Sequence, residues 1–269
     1  MKRTLMYAVT LMAACFICWQ MIPGSTVNAK EILRYTGSNQ VYHAYDKEMI
    51  AEFIKETGIE VDINTASSGA AVYRLMNGYS DIASTARELY RRHEDYGFSQ
   101  VAFCKDPLAV ITKTGCGVES LTEDQLQDIF SGEISNWKDL GGADLPILVI
   151  VPGTETAANK NFRRQVMKHT EIDYDFMTYD STMAIEAVKY FPCGAISFIA
   201  QGAVEHEAGI VTLKVNGLSP HDTAYPYFQI FYYVTKGTPS GSVKSFIDFS
   251  LSEKGKAIMR RNGMIPLTQ

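Results

Sequence analysis

Residues 30–84 read KEILRYTGSNQVYHAYDKEMIAEFIKETGIEVDINTASSGAAVYRLMNGYSDIAS. Short apolar runs with the length of strands alternate here with runs whose apolar residues recur at helical spacing. Repeated strand–helix–strand units predict an α/β fold with a mostly parallel sheet, helices on both faces and right-handed crossovers. The predicted elements are strands over Ile32–Tyr35, Ile59–Ile63 and Ile82–Ser84, and helices over Asn39–Glu56 and Gly69–Asn77.

The remainder of the chain predicts a second lobe of the same kind. The 240 residues from position 30 onward exceed what a single compact core usually needs. We expect two lobes joined by two crossing strands, Leu108–Thr112 outward and Phe228–Thr235 back, so that no linker is required. The expected boundaries are residues 30–112 and 227–269 for lobe 1 and residues 113–226 for lobe 2.

Further strands and helices are predicted in lobe 2 and up to the end of the chain. After a helix that Thr122 caps and that ends at Phe130, the same alternation returns. The remaining predicted elements are strands over Ile147–Val151 and Ala195–Ile199 and helices over Thr156–His169, Thr182–Lys189 and Val243–Arg260.

The first residues have the organisation of a secretion signal. Two basic residues precede an uncharged apolar run over Leu5–Ile22, and a small residue, Ala29, occupies the position before the expected cleavage site. We predict a signal peptide over residues 1–29, a mature chain that begins at Lys30, and a periplasmic location. Two alternatives stay open: an uncleaved membrane anchor, since the run is long enough to cross a bilayer, and lipidation at Cys15.

Charge argues against a nucleic-acid partner. Without the two basic residues of the signal, 25 basic residues become 23 against 30 acidic ones, which gives a net charge of −7. An acidic protein repels the phosphate backbone of nucleic acids. We therefore expect no nucleic-acid partner.

The spacing of the cysteine, histidine and serine residues does not match a known catalytic or metal-binding motif. Cys104, Cys116 and Cys193 remain after processing, so at most one intramolecular pair can form, and the sequence leaves the choice of pair open. The five histidines lack the spacing of metal ligands, and no Gly-x-Ser-x-Gly nucleophile motif is present. We expect no metal site, no cofactor and no enzymatic activity.

Three small polar turns are the candidate binding elements. Each follows a predicted strand and opens a predicted helix, where free backbone N–H groups and the helix dipole favour an anion. In doubly wound sheets ligands bind at the carboxyl ends of the strands, where all three turns lie. Helix capping alone would explain the polar residues of any single turn. The hypothesis of an anion site therefore rests on the occurrence of three such turns together. The turns are Thr36–Asn39, Thr65–Gly69 and Gly153–Thr156.

The order of motifs resembles the phosphate-binding protein family of Pst-type ABC importers along essentially the whole mature chain. The most specific stretch is Ile129–Gly141, which contains an Ile-Phe-x-Gly-x-Ile-x-Asn-Trp pattern. Supporting stretches are Thr36–Ser38, Ser67–Ala70, Asp81–Arg87, Gly194–Phe198, Tyr225–Pro226 and Tyr232–Gly237.

This resemblance implies a two-lobed type II periplasmic-binding-protein fold whose lobes close on a small oxyanion, with phosphate as the first candidate. It also implies delivery of the ligand to an ABC permease in the inner membrane. We expect the binding protein to be a monomer. The expected ligand shell comprises Ser38, Asn39, Ser67, Ser68, Thr85, Arg87, Thr154, Glu155 and Thr156.

The chain departs from the family at three positions that bear on the ligand. An Arg that grips phosphate in the family is Ile150 here, and an Asp that accepts the phosphate proton is Ala86. An Arg that is common after the family's Tyr-Pro is Gln229. Arg87 offers a replacement positive charge, because a guanidinium presents a fork of donors that suits an oxyanion. Its alternative role is a surface salt bridge.

Glu155 lies within the third turn, where a carboxylate repels an anion unless a proton lies between them. If Glu155 faces the cleft, we expect a ligand that can donate a hydrogen bond to be preferred over sulfate. The alternative role of Glu155 is a favourable charge in the first turn of a helix.

Two rival functions stay open at this stage. One is a non-transport binding module, such as a periplasmic sensor for an organic anion or an uncharged metabolite, which the absence of the family's Arg favours. The other is a hydrolase of phosphate esters, which lacks clustered metal ligands or an activated nucleophile.

Overall fold

The computed structural model describes residues 31–115, 117–168, 170–191 and 193–267, so the predicted signal peptide lies outside the described residues. Within these ranges the strands form an 11-stranded mixed sheet flanked by helices. The strands are β1 (Ile32–Ser38), β2 (Glu60–Ala66), β3 (Ile82–Thr85), β4 (Phe98–Lys113), β5 (Ser120–Leu121), β6 (Leu148–Pro152), β7 (Phe176–Thr178), β8 (Ala195–Ala200), β9 (Ile210–Val215), β10 (Phe228–Lys236) and β11 (Ile265–Pro266).

The helices follow the predicted order. Two of them are extended by π-helical turns: Tyr42–Asp46 joins α1 to α2, and Arg163–Met167 prolongs α6. The α-helices are α1 (Asn39–Val41), α2 (Lys47–Thr57), α3 (Ser68–Met76), α4 (Arg91–Glu94), α5 (Glu123–Phe130), α6 (Ala157–Phe162), α7 (Ser181–Tyr190), α8 (Gly241–Leu251) and α9 (Glu253–Arg261).

Both lobes contain parallel strands, but the strands that connect them run antiparallel. The order across the sheet is β2-β1-β3-β10-β4-β8-β6-β7. β1 pairs in parallel with β2 and β3, and β6 pairs in parallel with β7 and β8. In contrast, β4 runs antiparallel to β8, β9 and β10. The two-lobed α/β prediction is confirmed, with a more mixed sheet than the apolar runs indicated.

β4 is the strand that both lobes share. Its residues Phe98–Pro107 pair with β10, whereas Leu108–Thr112 pair with β8. The return crossing lies beside the outward one, because the backbone N–H of Leu108 donates to the carbonyl of Tyr227 at 3.0 Å. β10 itself pairs with β3 and with the first part of β4, so the returning chain crosses just before this strand begins.

The Ile129–Gly141 stretch belongs to the core of the second lobe. Phe130 and Trp137 are buried, and the Trp137 indole N–H donates to the carbonyl of Gly194 at 3.0 Å. The ring of Phe130 meets that of Phe162 edge-on at 4.6 Å, and Phe162 stacks on Phe198 at 3.8 Å. Aromatic contacts of this kind add packing energy to the burial of apolar surface. The most specific motif of the sequence therefore stabilises the fold and lies in its core.

A buried carboxyl group lies in the core of the first lobe. Asp46 accepts hydrogen bonds from the hydroxyls of Tyr35, Ser84 and Tyr233, at 2.8 Å from Ser84 and 3.4 Å from Tyr233. Burial raises the pKa of Asp46 to about 6, although these hydrogen bonds favour the charged form. The network ties β1, β3 and β10 to the π-helical turn that precedes α2.

The prediction of a single last helix over Val243–Arg260 is wrong. The structure has two helices, α8 and α9, which are separated at Ser252. The Ser252 side chain caps α9 by accepting a hydrogen bond from the N–H of Gly255 at 3.3 Å. Gly255 approaches the end of α8 so closely that a Cβ atom would overlap the carbonyl oxygen of Ser250. The apolar residues keep helical spacing on both sides of Ser252, so the sequence pattern did not indicate this break.

Cys104 is a buried free thiol on β4, and its Sγ lies 3.8 Å from the Sδ of Met264. Cys116 lies outside the described residues. Over the described ranges, no helix combines the length and apolar character needed to cross a membrane.

Candidate functional site

The end of β1 supplies the first wall of the site. Ser38 is buried, and within the described part of the chain its hydroxyl makes no hydrogen bond that caps α1. Asn39 is half-buried beside it. Gln40 is only 3% exposed, and neither its amide oxygen nor its amide nitrogen meets a hydrogen-bond partner among the described residues. A buried amide without partners is costly, so Gln40 has bonding capacity left for a ligand or water.

The turn between β2 and α3 supplies the second wall. The Ser67 hydroxyl caps α3 by accepting from the N–H of Ala70 at 3.3 Å. Ser68 is buried, and its hydroxyl accepts from the N–H of Ala86 at 3.2 Å. The second contact ties the beginning of α3 to the loop after β3, which carries Arg87. The two elements are therefore held in register with each other.

The third turn joins β6 to α6. Thr156 caps α6 by accepting from the N–H of Asn159 at 3.2 Å, and it donates to the carbonyl of Gly153 at 2.8 Å. Thr154 and Glu155 are exposed, and Glu155 forms an ion pair with Lys160 at 2.7 Å. The hydrogen bond from Lys160 and the positive charge of Arg87 lower the pKa of Glu155. The carboxylate is therefore paired, and its effect on ligand choice stays a prediction.

A fourth turn, which is absent from the predicted site, follows β7 and opens α7. The Asp180 carboxylate caps α7 by accepting from the N–H groups of Thr182 and Met183, each at 3.0 Å. This turn packs directly on the third, since a Cβ atom on Gly153 would lie 2.9 Å from the carbonyl oxygen of Tyr179. The Asp-Ser-Thr sequence at the start of α7 could have indicated this turn. The strand before it, β7, is short and largely exposed, so no apolar run marked it as a strand.

The four turns enclose a cavity of about 550 Å³, here called the polar cavity. Six of the nine predicted ligand residues line it, and the unpartnered Gln40 joins them. Its two carboxylates already have donors, from Lys160 for Glu155 and from backbone N–H groups for Asp180. The lining residues are Ser38, Asn39, Gln40, Thr65, Ala66, Ser67, Ser68, Ala70, Glu155, Thr156, Ala157, Tyr179, Asp180 and Ser181.

Arg87 lies at the edge of this cavity. Its guanidinium stacks over the ring of Tyr90 at 4.4 Å, and its Nη2 would lie 3.6 Å from a Cβ atom on Gly69, near the beginning of α3. Among the described residues, Arg87 forms no ion pair with a carboxylate. Thr85 is buried and donates to the carbonyl of Arg87 at 2.7 Å, so it fixes the loop and does not line the cavity.

Two of the three departures from the family, Ile150 and Ala86, occupy different environments. Ile150 is fully buried in β6 and packs in the core, so its side chain takes no part in lining the polar cavity. Ala86 is buried in the loop that Ser68 holds. The charge that the family places at Ile150 therefore has no direct substitute on β6, and Arg87 approaches from the opposite lobe.

The arrangement suits the binding of a small solute by hydrogen bonds. Four helix N-termini and several hydroxyls face one cavity, and a guanidinium stands at its edge. In the part of the chain that the structure describes, no group of three His, Cys, Asp or Glu side chains is placed to hold a metal ion. A two-lobed α/β fold with a polar cleft of this kind defines a solute-binding protein of type II architecture.

The chain belongs to the PBP superfamily, because a family model described as a PBP superfamily domain matches residues 24–254. The resemblance to phosphate-binding proteins is confirmed by curated relatives. The phosphate-binding protein PstS of Borreliella burgdorferi is 26% identical over 88% of this chain and 90% of its own length. PstS of Bacillus subtilis is 24% identical over 78% of this chain and 72% of its own length.

Solved structures agree with the fold. A protein from Clostridium perfringens, assigned as a phosphate ABC transporter substrate-binding protein and crystallised with bound phosphate, is 27% identical. It superposes with a TM-score of 0.78 over 88% of this chain and 100% of its own. An ABC-type phosphate transport receptor from Vibrio cholerae, 22% identical, superposes with a TM-score of 0.66 over 87% of this chain and 99% of its own.

Proposed function

We propose that this protein is the extracytoplasmic substrate-binding protein of an ABC importer and that it binds phosphate in the polar cavity. The observation that carries the proposal is the convergence of four helix N-termini on one cavity with Arg87 at its edge. Backbone N–H groups at helix N-termini hold phosphate without a full countercharge. The PstS relatives and the phosphate-bound Clostridium perfringens structure support this choice of ligand.

The proposal includes the organisation that the sequence indicated. Lobe 1 comprises residues 30–112 and 227–269, lobe 2 comprises residues 113–226, and the lobes close on the ligand. The protein acts as a monomer without a cofactor or catalytic step. After export to the periplasm by a cleaved signal, it delivers the ligand to an ABC permease in the inner membrane.

Calorimetry of ligand-stripped protein with phosphate and sulfate tests the proposal. We expect one phosphate per chain, and a Ser38→Ala variant with affinity reduced by about 1 kcal/mol, or roughly fivefold in Kd. Because the Ser38 hydroxyl does not cap α1 within the described residues, its removal should leave stability nearly unchanged. Ser245→Ala, on the exposed face of α8, is the matched control. The absence of phosphate binding in the unaltered protein would contradict the proposal.

Mass spectrometry of the exported protein tests its processing. We expect a mature N-terminus at Lys30, because a basic start, an apolar run and a small-residue cleavage site follow in that order. Recovery of the intact chain would indicate an uncleaved anchor. A lipidated terminus at Cys15 would indicate a lipoprotein.

A further inference from the structure

A second cavity of about 510 Å³, here called the basic cavity, opens beside the polar cavity. It lies between the loop after β3, α6 with the π-helical turn that prolongs it, and the beginning of β10. Ala157 lines both cavities, and Arg87 lines the basic cavity while its guanidinium also reaches the beginning of α3. The two cavities are therefore adjacent, with Arg87 at their boundary.

The walls of the basic cavity carry an excess of positive charge. Three basic side chains and one carboxylate, Glu88, line it. Lys160 is paired with Glu155, but Arg87 and Arg164 meet no carboxylate within ion-pair distance among the described residues. Arg164 instead donates to the amide oxygen of Asn161 at 2.8 Å. Two guanidinium groups that form no ion pair with a carboxylate, in a cavity lined by only one carboxylate, favour an anionic ligand.

A buried amide at the base of the cavity gives an independent indication of a ligand. Gln229 lines the basic cavity and is only 2% exposed. A contact with the Gln229 amide lowers the pKa of the Asp106 carboxyl beside it, but this contact is not a well-formed hydrogen bond, and the amide has no other partner among the described residues. Buried amides without partners are rare in proteins, because each lost hydrogen bond is costly.

The size of the basic cavity exceeds what inorganic phosphate needs. Cavities of roughly 300–1,000 Å³ are typical of sites for small organic ligands. An ion of one phosphorus and four oxygens that is held at the helix N-termini fills little of the polar cavity and leaves the basic cavity vacant. Arg164 and Gln229 would then face no ligand group.

We propose that the basic cavity is a second subsite for an anionic group attached to phosphate, so that the ligand is an organic phosphate with a second acidic group, such as a phosphorylated hydroxy acid. This inference rests on the proposed function and narrows its ligand class. The phosphoryl group binds the helix N-termini and Arg87. The second acidic group binds Arg164 and the amide of Gln229, while Tyr90 and Tyr232 flank the connecting carbon atoms.

Calorimetry with a series of probes tests this inference. The probes are inorganic phosphate, ethyl phosphate, phosphoglycolate and the longer phosphoglycerate. We expect at least one of the two phosphorylated acids to bind about tenfold or more tightly than ethyl phosphate, because its carboxylate gains a charged hydrogen bond. Arg164→Ala should abolish that gain and leave the Kd for inorganic phosphate unchanged.

Arg163→Ala is the matched control, because Arg163 is adjacent in sequence but pairs with Glu171 at 2.9 Å and does not line the basic cavity. This variant should retain the preference for the phosphorylated acid. Equal binding of ethyl phosphate and both acids, or a gain that survives Arg164→Ala, overturns the second subsite while the proposed phosphate site stands. Failure of inorganic phosphate to bind overturns the proposed function itself.

Discussion

Replacement of Arg87 by alanine is expected to weaken phosphate binding by about 2 kcal/mol, or roughly thirtyfold in Kd. Arg87 is the guanidinium at the boundary of the two cavities, and its ring partner Tyr90 holds it in place. Among the described residues no carboxylate lies within ion-pair distance of it, so its guanidinium is available to an anion. Charged hydrogen bonds are about twice as strong as neutral ones, which makes this the largest expected single effect on binding.

Arg92→Ala provides a matched control for this experiment. The Arg92 guanidinium also lies over the ring of Tyr90, 4.7 Å from its centre. However, Arg92 lines neither the polar nor the basic cavity. Both variants remove one positive charge and one cation–π contact. Calorimetry measures the Kd for phosphate. Equal Kd values for Arg87→Ala and the unaltered protein would show that Arg87 does not bind phosphate and has only a structural role at the protein surface.

Local sequence rules predicted the helix N-termini well, because caps and strand ends depend on neighbouring residues. Ser67, Thr122 and Thr156 each cap the helix that follows them. The convergence of the turns was also predictable, since parallel strands present their carboxyl ends at the same edge of a sheet. The order of elements and the two-lobed architecture could be inferred from the same alternation.

Tertiary contacts determine what the sequence did not reveal. β7 has three residues, two of them exposed, so it gave no apolar run and the turn before α7 was not recognised as part of the site. The first part of β4 was missed because Lys105 and Asp106 interrupt its apolar pattern. The lack of partners around Gln40 and Gln229 depends on how distant elements pack, which no local rule describes.

Asp106 combines complete burial with incomplete hydrogen bonding at the point where β4 passes between the lobes. One of its carboxyl oxygens accepts from the N–H of Gly202 at 3.0 Å, while the other has no well-formed hydrogen bond among the described residues, although the Gln229 amide beside the carboxyl also lowers its pKa. The residue opposite it in the sheet is Gln229, where an Arg is common in the resembled family. Without a cation there, burial raises the pKa of Asp106 to about 8.

This raised pKa predicts a pH-dependent stability that Asp106→Asn should remove. An unfolded aspartate titrates near ~3.9. Between that pH and about 8 the folded protein retains a proton that the unfolded chain has released, so stability falls as the pH rises through this window.

The free energy of unfolding of Asp106→Asn, relative to the unaltered protein, should therefore increase by on the order of 3 kcal/mol from pH 5 to pH 8. Asn has the same shape as Asp and carries no charge to bury, whereas the ionised carboxylate at pH 8 lacks a countercharge. Asp46, whose pKa is also raised, to about 6, contributes equally to both proteins and cancels in the difference. Urea unfolding at several pH values measures the effect, with the exposed Asp62→Asn as control. Parallel stability curves for Asp106→Asn and the unaltered protein would show that Asp106 is ionised in the folded state throughout, and would contradict the raised pKa.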